Sequence, residues 1–106
     1  MARTAAHSGI DNVLVDLGLP DAEELTAKVI LAKKINDILE SRALTQFAAA
    51  ELLGIPQPKI SAIRNYKIRG ISLERLMQAL TALGQNVEIV VTPSKKKSAA
   101  RIAVAA

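Results

Sequence analysis

The chain has 106 residues, the length of one domain, and half of them are hydrophobic although only Phe47 and Tyr66 are aromatic. The core is therefore expected to be aliphatic, and the abundance of alanine and leucine favours helices. The chain contains no cysteine, which excludes disulfides and thiolate metal sites and suits a reducing cytosol. It has no apolar run near the ~20 residues of a transmembrane helix and no hydrophobic signal-peptide stretch, so a cytoplasmic protein is expected.

Charge is unevenly distributed along the chain, whose net charge is +4. Residues 1–27 carry five acidic side chains and one basic one, whereas residues 52–73 carry four basic side chains and no acidic one. The segment 93–106 adds three lysines and an arginine without an acid. This separation favours a nucleic-acid face and a second face of other use, and the alternative is ordinary solvated surface charge.

The first predicted elements are an arm and a long helix. Residues 1–20 are expected to form an N-terminal arm that is partly disordered. Its apolar segment "NVLVDLGLPD" (12–21) fits either a short strand or a helical turn. Asp21 is a good N-cap, and the apolar residues after it recur at spacings of three and four residues. The pattern predicts a helix over 21–41.

Two short helices follow, separated by a turn that contains glycine. Thr45 can cap the first of them, predicted over 46–53, and Gly54 ends it. The second begins at or after Pro56 and runs to about Arg64. Prolines cost little at a helix start, because the first backbone N–H groups have no intrahelical partner there.

A loop over 65–70 leads to a last predicted helix. Ser72 can cap this helix, and a stripe of leucines and one methionine gives it an apolar face. Gly84 stands just after it, where the left-handed conformation favours glycine.

A strand and a tail complete the predicted chain. Residues 86–92, "NVEIVVT", are rich in β-branched side chains that alternate with polar ones, which predicts a strand. A lone strand leaves its backbone groups unpaired, so it needs a partner. The partner is either the segment 12–17 or, as we favour, the same strand of a second subunit. Residues 93–106 are expected to form a basic, flexible tail.

The segment "TQFAAAELLGIPQPKISAIRN", residues 45–65, has the spacing of a helix-turn-helix. Counting from Gln46, the fifth residue must be small because the two helices cross closely. The ninth must tolerate positive φ, and the fifteenth anchors the second helix in the core. Ala50, Gly54 and Ile60 occupy these structural positions. Together they predict a DNA-binding motif.

The pattern "LTQ…A…LGIPQPKIS…N" resembles the Xre, or lambda-repressor-like, helix-turn-helix family over about residues 25–85. With the leader "NVLVDLGLPDAEEL" and the ending "LGQNVEIVV", the chain also resembles, over roughly 12–92, antitoxin-type Xre regulators of HigBA-like toxin–antitoxin modules. The resemblance implies a mainly α fold, a lambda-repressor-like helix-turn-helix bundle of four to five helices with one C-terminal β-strand paired across a dimer. The DNA-binding domain would then span 21–92.

The resemblance implies a sequence-specific regulator that binds operator DNA as a homodimer, represses its own operon and neutralises a RelE/HigB-like toxin that cuts mRNA. The acidic N-terminal region could contact such a toxin, or residues 87–92 could add a strand to the toxin's sheet. Two alternatives remain, a free-standing Xre repressor without a toxin and an interaction module that does not bind DNA. The uncompensated basic block argues against the second alternative.

Catalysis is not expected, and neither is a cofactor or a metal. The single histidine, His7, lies in the predicted arm, and the chain offers no cysteine to pair with it. The sequence also contains no glycine-rich phosphate loop.

The residues that contact DNA are expected on the second helix of the motif, which helix-turn-helix proteins lay in the major groove. Gln57 would be its first residue, and a glutamine amide can bond bidentately to adenine N6 and N7. The alternative for Gln57 is a solvated first-turn side chain. In the resembled family a glutamine at this position reads a base and is supported by the glutamine that starts the preceding helix, here Gln46. Pro58 can make apolar contact with a thymine methyl.

Further DNA contacts are expected along this helix and in the loop after it. The candidates for base or phosphate contact are Lys59, Ser61, Arg64, Asn65 and Lys67. Arg69 is a weaker candidate for a phosphate contact. Tyr66 fits either a sugar or phosphate contact or packing over the loop, and Phe47 is expected to be partly buried.

Overall fold

Four α-helices make up most of the part of the chain that the computed structural model describes, residues 22–94 and 101–106. The predicted mainly α architecture is confirmed for these residues. The predicted arm 1–20 and the predicted cap Asp21 lie outside them. In chain order the helices are α1 (Ala22–Ser41), α2 (Gln46–Leu53), α3 (Gln57–Arg64) and α4 (Leu73–Ala82).

The core is a single aliphatic cluster to which all four helices contribute. Helix α1 packs against α3 and α4, and α2 packs against the same two helices. Ile35 of α1, Ile60 of α3 and Leu76 of α4 have no exposed surface. Burial of one such side chain contributes about 1.5–3 kcal/mol. Helices as short as α2 and α3, with 8 residues each, are marginal alone, so this cluster holds them in the helical state.

Two of the helices begin at side-chain caps that the sequence predicts. The hydroxyl oxygen of Thr45 accepts a hydrogen bond from the Ala48 N–H at 3.0 Å, at the start of α2. The hydroxyl oxygen of Ser72 accepts one from the Arg75 N–H at 3.1 Å, at the start of α4. Helix α3 begins differently, because Pro56 precedes its first residue and provides no side-chain cap.

The four helices end in closely similar left-handed turns. Within two residues of each helix end the chain has one residue with positive φ, and these residues are Ala43 (53°), Gly54 (66°), Tyr66 (59°) and Gly84 (81°). The next backbone N–H then donates to a carbonyl in the last turn of the helix. These bonds are Leu44 N to Leu39 O, Ile55 N to Ala50 O, Lys67 N to Ala62 O and Gln85 N to Leu80 O, at 2.8–3.2 Å. At a residue other than glycine the left-handed conformation costs roughly 1–2 kcal/mol.

Residues 85–94 form neither a helix nor a strand, so the strand predicted at 86–92 is not found among the described residues. A strand is held by hydrogen bonds to a neighbouring strand, and the described part of the chain contains no such neighbour. Val87 packs against the core cluster, but Ile89 and Val91 are 77% and 91% exposed. Pairing across a dimer therefore stays a prediction.

The last residues of the chain return to the bundle. Val104 is half-buried and packs against the core cluster, whereas Ile102 is exposed. Part of the segment predicted as a tail, 93–106, thus contacts the domain, which no sequence pattern indicated. None of the described helices combines the length and apolar composition that crossing a bilayer requires.

Candidate nucleic-acid interface

The turn between α2 and α3 fixes the angle at which the two helices meet. Ala49 and Ile60 are fully buried where the helices pack, and Ala50 is half-buried beside them. Gly54 turns the chain with φ 66°. A Cβ atom at Gly54 would meet no atom within 4 Å. Its backbone conformation, and not a lack of space, is therefore what favours glycine there.

The start of α3 presents one glutamine between two prolines. Gln57 is the first residue of α3, and its side chain and that of Pro58 are exposed. Pro56 and Pro58 have no N–H, and the Lys59 N–H donates to the Pro56 carbonyl at 2.9 Å. Among the first three residues of α3, only the Gln57 N–H lacks an acceptor in the described structure. The exposed hydrogen-bonding groups at this helix end are thus concentrated at Gln57.

Gln46 and Gln57 occupy equivalent places, each the exposed first residue of its helix. No hydrogen bond joins their side chains within the described residues. The predicted support of Gln57 by Gln46 accordingly stays a prediction about the DNA-bound state.

The C-terminal half of α3 is tied to α1 and to its own last turn. The Arg64 Nη1 donates to the backbone oxygen of Asn36 at 3.2 Å and to its Oδ1 at 3.4 Å, so Arg64 is half-buried. The Asn65 Nδ2 donates to the Ser61 backbone oxygen at 2.9 Å and lies 3.5 Å from its Oγ. Partners inside the chain therefore already exist for three of the predicted DNA contacts, Arg64, Asn65 and Ser61. Both Arg64 bonds use Nη1, which leaves Nε and Nη2 for a second acceptor.

Asn36 connects α1 with the end of α3. It is only 5% exposed, and its Nδ2 donates to the Ile63 backbone oxygen at 3.0 Å. That oxygen belongs to the last turn of α3, whose carbonyls have no partner within the helix. The Asn36 side chain therefore donates a hydrogen bond to α3 through Nδ2 and accepts one from Arg64 through Oδ1. The only local sign of this role in the sequence is a polar residue directly after Ile35 of the apolar stripe.

The loop after α3 is also fastened to the helices. The buried Lys28 Nζ donates to the Arg69 backbone oxygen at 3.0 Å and pairs with Glu24 at 3.0 Å. The Lys59 Nζ lies 3.4 Å from the Gly70 backbone oxygen, at the surface. Lys67 is exposed, and its side chain makes no polar contact within the described residues. Of the predicted contacts in the loop, Lys67 is the one fully available to a phosphate.

A family model described as a helix-turn-helix domain matches residues 13–92, a range that contains all four helices. A solved structure named as an XRE family transcriptional regulator shares 52% sequence identity and a TM-score of 0.75, covering 82% of this chain and 99% of that one. The chain belongs to the XRE family of helix-turn-helix proteins. No curated protein sequence matches it.

The XRE family is one of DNA-binding transcriptional regulators, so this chain is of that class and its helix-turn-helix is α2 and α3. One expectation about this motif is wrong. Phe47 is 64% exposed, because Ala49 and Leu53 take the inward side of α2 and Phe47 lies ~200° around the helix from Ala49. Sequence reasoning also missed Asn36 and Lys28, whose contacts are with residues far along the chain.

Proposed function

We propose that the chain binds operator DNA as a cytoplasmic homodimer, represses its own operon, and neutralises a RelE/HigB-like toxin as the antitoxin of a type II module. The observation that carries the DNA-reading part is the start of α3, where Gln57 is exposed between two prolines on a helix held rigidly by the core. The antitoxin part is supported by the resemblance of the flanks "NVLVDLGLPDAEEL" and "LGQNVEIVV".

Base reading falls to Gln57 in this proposal. Its amide carries a donor and an acceptor, which match N7 and N6 of adenine in the major groove. The flanking prolines remove two backbone donors that could otherwise have bound a phosphate at the helix start. The helix end is thus better suited to a base edge than to the DNA backbone. Pro58 lies beside Gln57 and offers an apolar surface to a thymine methyl.

Phosphate contacts frame α3 on its sides. Lys59 and Lys67 are exposed basic residues near its start and just beyond its end. Arg64 can add a contact through Nη2 while Nη1 remains on Asn36. The proposed surface is completed by Gln46 at the start of α2, the side-chain amide of Asn65 and the hydroxyl of Ser61. Such contacts set affinity and register but carry no base information.

Dimerisation is proposed through residues 86–92. Side chains of a strand alternate between its faces, so Val87, Ile89 and Val91 share one face. Val87 already packs on the core, while Ile89 and Val91 are exposed in the single chain. Antiparallel pairing with a second copy would satisfy the backbone and cover these side chains at once. The two α3 helices of such a dimer would read half-sites about 34 Å apart.

A free-standing XRE repressor remains the second candidate, because nothing in the described bundle requires a toxin for its core. Purification of the chain from its native host, followed by mass spectrometry, separates the two candidates. The antitoxin proposal expects a small basic protein to co-purify in a constant ratio, and the chain purified alone at native expression levels would contradict it. Footprinting on the promoter of its own operon tests the repressor part, with two protected half-sites expected.

A further inference from the structure

We propose that Tyr66 is a further DNA-binding residue, whose hydroxyl donates a hydrogen bond to the sugar–phosphate backbone next to the C-terminal end of α3. The inference rests on the proposed function, since it takes α3 to be the helix in the groove. It adds a contact that the helix-turn-helix spacing does not point to, from a residue outside the two helices.

The backbone at Tyr66 is the first observation. Tyr66 has φ 59° and occupies the left-handed position that ends α3, where the N–H of Tyr66 donates to Ile63 and the N–H of Lys67 donates to Ala62. The equivalent positions after α2 and α4 are Gly54 and Gly84. This conformation disfavours a large aromatic residue, whereas glycine adopts it without steric cost. Strained residues of this kind concentrate at functional sites.

The position of the side chain is the second observation. The chain has only two aromatic residues, and one of them, Tyr66, is 43% exposed and not part of the buried core. It stands between Asn65 and Lys67, both exposed, at the point where the chain leaves α3. This is the end of the helix where the DNA backbone would pass if the N-terminal end of α3 lies in the major groove.

Packing of the ring over the loop is the competing explanation, and the two differ in their effect on stability. If packing accounts for Tyr66, removal of the ring lowers the melting temperature. If Tyr66 serves DNA binding at the expense of backbone strain, Tyr66→Gly raises it by roughly 2–5 °C. Ala43→Gly is the matched control, since Ala43 has φ 53° at the same position after α1 and belongs to no proposed DNA contact.

The experiment measures melting temperature and affinity for two DNA probes, a 30-base-pair duplex of random sequence and a site selected from a random pool. Tyr66→Gly is expected to melt higher and to bind both probes roughly three- to tenfold more weakly. Tyr66→Phe, which keeps the ring, should show a similar loss of affinity at unchanged stability. Ala43→Gly should melt higher and bind both probes as the unaltered protein does.

The salt dependence of binding adds a readout that distinguishes a neutral donor from a cation. Tyr66→Phe should leave the slope of log affinity against log salt unchanged, whereas Lys67→Ala should reduce it by about one. The inference is overturned if Tyr66→Gly lowers the melting temperature, or if Tyr66→Phe binds the two probes with unaltered affinity. In the latter case a loss on Gln57→Ala would show that α3 still reads DNA. No loss on either residue would overturn the proposed function as well.

Discussion

At the scale of single residues, Asn36 is the side chain that most directly sets how α3 sits on the bundle. Its amide nitrogen donates to the Ile63 carbonyl, and its oxygens accept from Arg64. Replacement by alanine would remove the bond from Nδ2 to the Ile63 carbonyl, which would keep only the Tyr66 N–H at 3.1 Å, and the bond from Arg64 to Oδ1. Each of the two lost hydrogen bonds contributes about 0.5–1.5 kcal/mol.

Asn36→Ala is therefore expected to reduce the free energy of unfolding by about 1–3 kcal/mol, measured by urea denaturation. Asn65→Ala is the control, because its amide also bonds to a carbonyl of α3 but is exposed to water. The control should cost less than ~1 kcal/mol. Equal midpoints for Asn36→Ala and the unaltered protein would show that the network around Asn36 contributes nothing to stability.

The sequence predicts residue positions well where the cause is local and poorly where it is not. The location of Gln57 at the first position of α3 follows from the turn and the two prolines before and after it. The contacts of Asn36 with Ile63 and of Lys28 with Arg69 join residues 27 and 41 positions apart, so no local pattern could reveal them. The sequence leaves two roles open for Tyr66, because its left-handed backbone is visible only in the fold.

At the scale of elements, the ends of the helices carry most of the information that distinguishes this fold. Helix starts at Thr45 and Ser72 were predictable, because a cap is a contact between a side chain and a backbone group three residues away. The strand expected at 86–92 was not predictable in the same way, because its hydrogen bonds would lie in another segment or another subunit.

Gly54→Ala tests the turn between α2 and α3. The expected result is a loss of about 1–2 kcal/mol in the free energy of unfolding, because alanine would have to adopt φ 66°. Gly70→Ala is the matched control. At both glycines an added Cβ meets nothing within 4 Å, but only Gly54 has positive φ. Thermal melts of the two variants should differ by several degrees, and equal melting temperatures would contradict a conformational role for Gly54.

At the scale of the whole molecule, one surface of the described chain remains without a partner. Three consecutive hydrophobic residues, Ile89 to Val91, are more than three-quarters exposed at the end of a domain whose other large aliphatic side chains are mostly buried. Exposed apolar residues grouped in this way mark interaction sites in soluble proteins. In the proposed dimer, a second copy of the chain would cover their apolar surface and pair with their backbone.

If residues 86–92 pair across a dimer as proposed, Ile89→Lys is expected to convert that dimer to a monomer in sedimentation experiments without unfolding it, because Ile89 is exposed in the single chain. Operator affinity should fall steeply, since two linked half-sites bind far more tightly than two separate ones. Ile102→Lys, at another exposed isoleucine, is the control and should remain dimeric. A dimer that survives Ile89→Lys would place the interface elsewhere on the chain.

Binding of Gln57→Ala to a selected operator and to its single-base variants tests whether α3 reads bases through Gln57, as proposed. We expect a loss of roughly 1–3 kcal/mol on the operator, relaxed discrimination at one base pair in each half-site, and unchanged affinity for random duplex. The control is Gln78→Ala, at an exposed glutamine of α4, which should change neither operator affinity nor base discrimination. Unaltered operator affinity and unaltered base preference in Gln57→Ala would show that Gln57 does not read a base.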